Sequence, residues 1–221
     1  MSPRRRVNGA RVTFDSRCRA CPRLTKFLGD VRTRHPDYHA APVAPFGDPN
    51  AALLVVGLAP GMHGANATGR PFTGDHAGIL LYETLFKAGF SNQAEGSHAD
   101  DGLQLTGCRI TNAVKCLPPA NKPTTAEIAT CNRFLVAELA ELPRPGVIVA
   151  LGRIAHNAVL KAFAQPQTRH TFSHAAVHVL DDGVTLIDSY HCSRYNTQTR
   201  RLTPSMFERV FELAAQHLEP V

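Results

Sequence analysis

The chain has 221 residues, of which 43% are apolar and 19% are charged, and its net charge is +6. This composition excludes a largely disordered protein, and the length favours one α/β domain over residues 18–221 after a basic tail over residues 1–17. No apolar stretch reaches the roughly 18 residues that a membrane helix needs, and no apolar block follows the arginines at 4–6. We therefore expect no membrane span, no signal peptide and a cytoplasmic location.

Four continuous apolar runs predict strands that are buried on both faces, over residues 53–56, 109–114, 146–151 and 184–187. Apolar residues at three- and four-residue spacing predict helices over residues 79–88, 125–142, 154–163 and from Pro204 onward. Thr124 with Glu127 forms a capping-box pattern at the start of the second of these helices. The alternation predicts a three-layer α/β/α fold with a central, mainly parallel four-stranded sheet.

The chemically unusual segments of the sequence come directly after three of these strands. They are residues 57–61, 116–123 and 190–193. In parallel sheets the carboxyl ends of the strands lie at one edge, where ligands bind. We therefore expect these segments to converge and form the functional site. The net positive charge favours an anionic partner, nucleic acid first, because Lys and Arg contacts to phosphates release counterions.

Four of the six cysteines have positions that suggest a shared metal site. Cys18 and Cys21 form a C-x-x-C pair, which can hold one corner of such a site, and Cys116 and Cys131 follow later in the chain. Four thiolates suit either structural zinc or an iron-sulfur cluster, and the spacing alone does not decide between them. Cys131 also lies on the apolar stripe of its helix, so a simple core position is a third interpretation.

The other two cysteines favour different interpretations. Cys108 stands at the start of a strand and is expected in the core. Cys192 follows His191, which raises the alternative of a thiol hydrolase with Cys192 as its nucleophile. The side chains of adjacent residues usually point in different directions, which argues against a proton shared between these two.

The segment over residues 57–75 contains five glycines but matches neither the Walker loop nor the dinucleotide-binding fingerprint, which argues against a nucleotide cofactor. Its chemistry-bearing side chains are Arg70, Phe72 and Asp75. Phe72 either stacks on a base or anchors the loop against the core. Asp75 either takes part in the chemistry or only caps the helix that follows.

Motifs from nearly the whole chain together resemble those of one enzyme family, the iron-sulfur uracil-DNA glycosylases. They lie over residues 57–61, 64–75, 116–124, 150–153 and 189–196. The resemblance is closest to the family 5 branch, also called the B type. Relatives in the family 4 branch have Glu at the second position of the first motif, whereas this chain has Leu58 followed by Ala59.

This resemblance implies a uracil-DNA glycosylase fold and resolves the metal alternatives in favour of a cluster. A [4Fe-4S] cluster with a structural role would be held by Cys18, Cys21, Cys116 and Cys131. The implied activity is hydrolysis of the N-glycosidic bond of a flipped uracil in DNA, which leaves an abasic site. The family 5 resemblance also implies DNA with other deaminated bases, hypoxanthine or xanthine, as substrates. We expect the chain to act as a monomer.

A glycosylase must stabilise negative charge on the leaving base and positive charge on the sugar. By resemblance, His191 is the donor to the base oxygen and Asp75 holds the attacking water, and both are assigned as catalytic. The implied substrate-binding residues are Gly57, Ala59, Gly61, Phe72, Asn121 and Asn196. The last of these either braces the loop of His191 or contacts the substrate. Arg194 and Tyr195 are implied to fill the space that the flipped base leaves.

An alternative without catalysis remains open at this point. His191 can instead be a buried histidine whose ring nitrogens form hydrogen bonds with backbone groups. Asn121, which lies between prolines, can be simply a turn residue. On that interpretation the chain is a non-catalytic iron-sulfur or zinc protein that binds nucleic acid. The presence of both His191 and Asp75 argues for the enzyme.

Overall fold

The computed structural model describes residues 13–180 and 183–218, so residues 1–12 of the predicted tail lie outside the described part of the chain. The strands are β1 (Phe46–Gly47), β2 (Leu53–Gly57), β3 (Cys108–Asn112), β4 (Gly146–Leu151), β5 (Val177–Val179) and β6 (Val184–Ser189). The helices are α1 (Pro22–Arg34), α2 (Ala65–Thr68), α3 (His76–Lys87), α4 (Thr125–Glu141), α5 (Arg153–Ala162), α6 (Arg194–Gln198) and α7 (Pro204–Leu218). All the predicted strands and helices are present, within a few residues of the predicted bounds.

The strands form one sheet in the order β1-β3-β2-β4-β6-β5. The four inner strands are parallel, which confirms the predicted core. β1 and β5 add a short antiparallel strand at each edge, and neither has a continuous apolar run in the sequence. In the register, Val55 lies opposite Ile110 and Val149, and Val149 lies opposite Ile187, so the centre of the sheet is apolar and buried.

Helices cover both faces of the sheet, as the predicted three-layer fold requires. Successive residues of an inner strand point to opposite faces, so Leu53 and Val55 pack in one core cluster while Leu54 and Val56 pack in another. The helices α3 and α7 bury their apolar side chains in the first cluster, and α4 and α5 in the second. Within the described ranges, no helix combines the length and the apolarity that crossing a membrane requires.

The helix α1 packs on the segment that follows β3 and on the start of α4. Its Leu24 and Leu28 are buried in two small apolar clusters there. Arg23 donates from Nε and Nη2 to the two carboxylate oxygens of Glu127, at 2.8 and 2.7 Å. Glu127 also completes the capping box with Thr124, which confirms that prediction. The same carboxylate therefore starts α4 and ties α1 to it.

Candidate active site and four-cysteine site

A cavity of about 390 Å³ opens at the carboxyl edge of the sheet, where the loops after β2, β3 and β6 meet. The predicted site residues that line it are Ala59, Gly61, Phe72, Asp75, Asn121, His191 and Arg194. The others, Gly57, Tyr195 and Asn196, lie outside this lining. The structure thus brings together both side chains that the resemblance assigns to catalysis.

His191 lies in the loop after β6, beside Phe72, with the two ring centroids 6.0 Å apart and the ring planes inclined by 28°. Its Nδ1 is buried and has no hydrogen-bond partner in the described chain. Burial lowers the pKa of His191 to about 4, so the ring is neutral at neutral pH. A neutral imidazole has one N–H donor and one acceptor nitrogen, and the unpaired Nδ1 leaves bonding capacity for a ligand. The interpretation of His191 as a histidine satisfied by backbone groups does not hold for this atom.

Asp75 is the N-cap of α3, and its Oδ1 accepts a hydrogen bond from the backbone N–H of Gly78 at 3.2 Å. Its Oδ2 lies against the backbone of the loop after β2. A Cβ added to Gly64 would be only 2.3 Å from Oδ2, and a Cβ added to Gly61 would be 3.1 Å from it. Burial raises the pKa of Asp75. The two interpretations of Asp75 are therefore compatible, since one oxygen caps the helix while the other lies against the backbone of the cavity loop.

Gly57, at the end of β2, lies beneath Phe72 and Asn112. An added Cβ at Gly57 would be 2.6 Å from Cζ of Phe72 and 2.4 Å from Oδ1 of Asn112. Glycine is needed at this position because any side chain would displace both neighbours. Phe72 is only 6% exposed and belongs to the main core cluster, so it anchors its loop as well as lining the cavity.

Asn112 is a cavity residue that the motifs do not single out. It ends β3, is 4% exposed and lines the cavity, and its Oδ1 is buried without a partner among the described residues. A buried amide oxygen without a hydrogen bond carries a free-energy cost, which a bound ligand can remove. The signal in the sequence is weak, since it consists of one polar residue near the carboxyl end of a mainly apolar run.

The remaining predicted site residues lie at the rim of the cavity or behind it. Asn121 is exposed and reaches the rim from a short turn of 3₁₀ helix. Asn196 donates from Nδ2 to the backbone oxygen of His191 at 2.8 Å, so it braces the loop of His191. Arg194 lines the cavity, and the neighbouring Tyr195 is 69% exposed. A guanidinium therefore lies at the cavity, and the next residue along the chain carries an exposed aromatic ring.

Four cysteines converge on a second cavity, between the start of α1 and α4. They are Cys18, Cys21, Cys116 and Cys131. The backbone N–H of Lys115 donates to Sγ of Cys131 at 3.3 Å, and Nη2 of Arg133 donates to Sγ of Cys18 at 3.4 Å. These residues come from three separate parts of the sequence, and together they form a site with sulfur ligands and nearby positive charge.

The surroundings of these thiols limit what they can hold. Burial raises the pKa values of Cys21, Cys116 and Cys131, that of Cys116 to about 12, and negative charge on neighbouring thiolates adds to each rise. A positively charged centre between them would favour the thiolate forms. No three of the four sulfurs lie within 4.8 Å of one another in the described chain. Around a single zinc ion, four sulfur ligands would lie about 3.8 Å from one another.

The structure contradicts the thiol-hydrolase alternative. Cys192 is fully buried in the main core cluster and does not line the cavity of His191. Burial, with the charge of nearby Asp75, raises the pKa of Cys192. A thiol that stays protonated is a poor nucleophile. Cys108 is buried in the same cluster, which confirms its expected core position.

Comparison with known protein families adds to this geometry. A family model described as the uracil DNA glycosylase superfamily matches residues 44–215. The chain belongs to this superfamily. Within it, the chain is 49% identical to a type-5 uracil-DNA glycosylase of Thermus thermophilus, in an alignment that covers 87% of this chain and 90% of that protein.

Further superfamily relatives distinguish the branches. A type-5 uracil-DNA glycosylase of Pyrobaculum aerophilum is 43% identical, over 90% of this chain and 88% of that protein. A type-4 uracil-DNA glycosylase of Archaeoglobus fulgidus is 34% identical, over 77% of this chain and 80% of that protein. The higher identity to the type-5 relatives confirms the resemblance to the family 5 branch.

Proposed function

We propose that this member of the superfamily removes uracil from DNA by hydrolysing the bond between the base and C1′ of the sugar, which leaves an abasic site. The proposal is carried by the shared cavity of His191, Asn112 and Asp75. Within the described residues, His191 and Asn112 each have a buried polar atom without a partner. A planar polar base offers the hydrogen bonds that these atoms lack, and Asp75 supplies a carboxylate in the same cavity.

His191 and Asn112 bind the base in this proposal. Because His191 is neutral, its N–H donates to the base oxygen on which negative charge develops as the bond to the sugar breaks. A donor of this kind typically lowers the barrier by about 2.7–4 kcal/mol. The unpaired Oδ1 of Asn112 accepts from the ring N–H of uracil, and the amide nitrogen donates to the adjacent carbonyl. Phe72 supplies an apolar surface for the ring.

Asp75 holds the water that attacks C1′. Its carboxylate is the one acidic group in the described lining of the cavity, and Leu58 and Ala59 in the loop after β2 offer no polar side-chain atoms. A carboxylate in this position also stabilises positive charge on the sugar in an oxocarbenium-like transition state. The backbone of Gly61 and Gly64 lies against Oδ2, so the absence of side chains there lets the loop approach the carboxylate.

The rim of the cavity suits DNA. The net charge of +6 favours contacts with phosphates, and such contacts release counterions. Arg194 at the mouth and the exposed ring of Tyr195 fill the space that the flipped nucleotide leaves, and flipping costs a few kcal/mol, least for mispaired bases. The proposed substrate is therefore DNA with a deaminated base, uracil first and hypoxanthine or xanthine next, bound by one copy of the chain in the cytoplasm.

We also propose that Cys18, Cys21, Cys116 and Cys131 hold a [4Fe-4S] cluster. Four thiolate donors that line one cavity are the usual ligand set of such a cluster, and the resemblance to the family 5 branch favours the cluster over a single zinc ion. When bound, the cluster supplies a covalent link between α1, the segment after β3 and α4. The hydrogen bond from the guanidinium of Arg133 to Cys18 compensates part of the thiolate charge.

The activity is tested with oligonucleotides that contain uracil, hypoxanthine or xanthine, by measuring the abasic sites that form. The informative variant is Asp75→Asn, because asparagine keeps the N-cap oxygen and removes only the charge. We expect wild-type protein to act on uracil, and Asp75→Asn to be at least about 100-fold slower with nearly unchanged thermal stability. Protein that binds these oligonucleotides without forming abasic sites would support the non-catalytic alternative and overturn the proposal.

The cluster is tested by measuring iron, sulfide and zinc in the purified full-length protein, with its visible absorption. We expect four iron atoms per chain, consistent with the proposed cluster. Cys116→Ser should lose the iron, whereas Cys108→Ser, which changes a buried cysteine outside the site, should keep it. One zinc ion per chain in the four-cysteine site, without iron, would contradict the cluster.

A further inference from the structure

Another group of ligand-type side chains lies away from both sites, where β5, β6 and α5 meet. His156, His178 and Asp188 are the one group of His, Cys, Asp or Glu in the described chain whose ligand atoms all lie within 4.8 Å of one another. The side chains of His156 and Asp188 are 1% and 0% exposed, and that of His178 is 11% exposed. None of the three lines the cavity of His191 or that of the four cysteines.

The contacts of His156 require a positive centre beside its ring. Its Nε2 lies 2.9 Å from the backbone oxygen of His170, and its Nδ1 lies 2.7 Å from Oδ1 of Asp188. A carbonyl and a carboxylate are both acceptors, whereas a neutral imidazole has a single N–H. Since the Nε2–H donates to the carbonyl, either a second proton or a metal ion must lie between Nδ1 and the carboxylate.

A metal ion satisfies all three side chains at once. Nε2 of His178 lies 3.0 Å from Oδ2 of Asp188, so two imidazole nitrogens approach the two oxygens of one carboxylate. Around a tetrahedral ion with metal–ligand bonds of about 2.1 Å, ligand atoms are about 3.4 Å apart, so both contacts to Asp188 would lengthen by a few tenths of an ångström on metal binding. The contact between Nε2 of His156 and a backbone carbonyl is also the usual outer contact of a metal-bound histidine. With a proton in place of the metal, His156 donates to Oδ1 and neutral His178 donates from Nε2 to Oδ2, so hydrogen bonds alone hold the three side chains.

We propose that Nδ1 of His156, Nε2 of His178 and the carboxylate of Asp188 bind a divalent transition-metal ion, with zinc as the expected occupant. Two imidazoles and one carboxylate suit zinc and the neighbouring first-row ions. The site is structural and separate from the four-cysteine site. It links β5 and α5 to the end of β6, shortly before the loop that carries His191.

The proposal is tested on full-length, iron-loaded protein that has been treated with EDTA and dialysed against Zn²⁺. Zinc and iron are measured in the same sample. Zinc that has replaced iron in the four-cysteine site is then recognised because the iron content of that sample is low. We expect one Zn²⁺ per iron-loaded chain for wild type and for His217→Gln, which changes an exposed histidine on α7. We expect at least about 100-fold weaker zinc binding for His178→Gln, because that variant loses a direct ligand.

His178→Gln is suited to this test because glutamine can still donate to Asp188, so the fold is expected to persist. Added Zn²⁺ should raise the Tm of wild type and not that of His178→Gln, and both should excise uracil at similar rates. Equal zinc binding by wild type and His178→Gln, or no zinc binding by either, would overturn the proposal. The contact between Nδ1 of His156 and Asp188 would then be explained by a second proton. The zinc X-ray absorption spectrum of wild type gives a readout without variants: nitrogen and oxygen neighbours support the site, and sulfur neighbours contradict it.

Discussion

Two histidines near the carboxyl end of β6 differ in how their ring nitrogens are bonded. His156 has partners at both nitrogens, the Asp188 carboxylate and the backbone oxygen of His170. Nδ1 of His191 is buried without a partner in the described chain, and burial lowers the pKa of His191 to about 4. A paired polar group supports the fold, whereas an unpaired one costs stability. The comparison indicates that the groups around His191 are arranged for a ligand and those around His156 for structure.

The largest effect is expected for substitution of His191, which should lower the activity strongly and change the stability little. For His191→Ala we expect the single-turnover rate of uracil excision to fall by about 100- to 1,000-fold, because the donor to the base oxygen is lost. The free energy of unfolding, measured with urea, should change little or rise, since no hydrogen bond at Nδ1 is lost. A fall of less than tenfold in rate would mean that His191 does not serve as this donor.

The opposite pattern is expected at His156. His156→Ala leaves Asp188 as a buried charge with only His178 to bond it, so the free energy of unfolding should fall by about 3 kcal/mol. Urea unfolding measures this, with His217→Ala as a surface control that should change it little. If His156→Ala lowers the free energy of unfolding by less than about 1 kcal/mol, the buried contacts of His156 do not contribute substantially to stability.

Lowering the pH should destabilise the fold through His191. The folded-state pKa of His191 is about 4 and its ordinary value is 6.5, so the unfolded chain takes up the proton first as the pH falls. The stability linked to His191 is complete above about pH 6.5 and is lost between pH 6.5 and 4, by up to about 3 kcal/mol. Urea unfolding of wild type and His191→Gln over this range measures the difference. Parallel curves would show that burial does not disfavour the charged ring.

The smallest effect is expected at Cys192. Because its thiol is buried, protonated and outside the cavity lining, Cys192→Ser should change the rate of uracil excision by less than about twofold. A loss of about 1–2 kcal/mol of stability is expected, since the serine hydroxyl is buried in an apolar cluster. A tenfold or greater loss of activity in folded Cys192→Ser protein would restore the thiol as a candidate nucleophile.

The parallel core of the sheet was predictable because its strands are continuous apolar runs, such as residues 146–151, and such runs mark strands buried on both faces. The two edge strands were not. β1 has two residues, and β5 exposes Val177 and Val179 while His178 points inward, so neither has the pattern of a buried strand. Their pairing depends on the neighbouring strand and on contacts distant in sequence.

The candidate site was predictable where motifs follow strands, as for Asp75 and His191, and much less so elsewhere. Asn112 has no motif of its own, and its unpaired oxygen is visible only once Phe72 and Gly57 are in place. The group of His156, His178 and Asp188 has no ligand spacing in the sequence, because a helix and two strands contribute one residue each. Tertiary structure alone brings such groups together.

The four-cysteine site is complete at an earlier point in the sequence than the cavity. All four cysteines, with α1, β2, β3 and α4, are contained in the chain by Glu141, whereas the cavity also needs His191. Synthesis proceeds from the N-terminus at about 5–20 residues per second, so all four cysteines are synthesised before β4 and β6. A nascent chain stalled just after α4 would already contain all four cysteines of that site, and would lack His191 of the cavity.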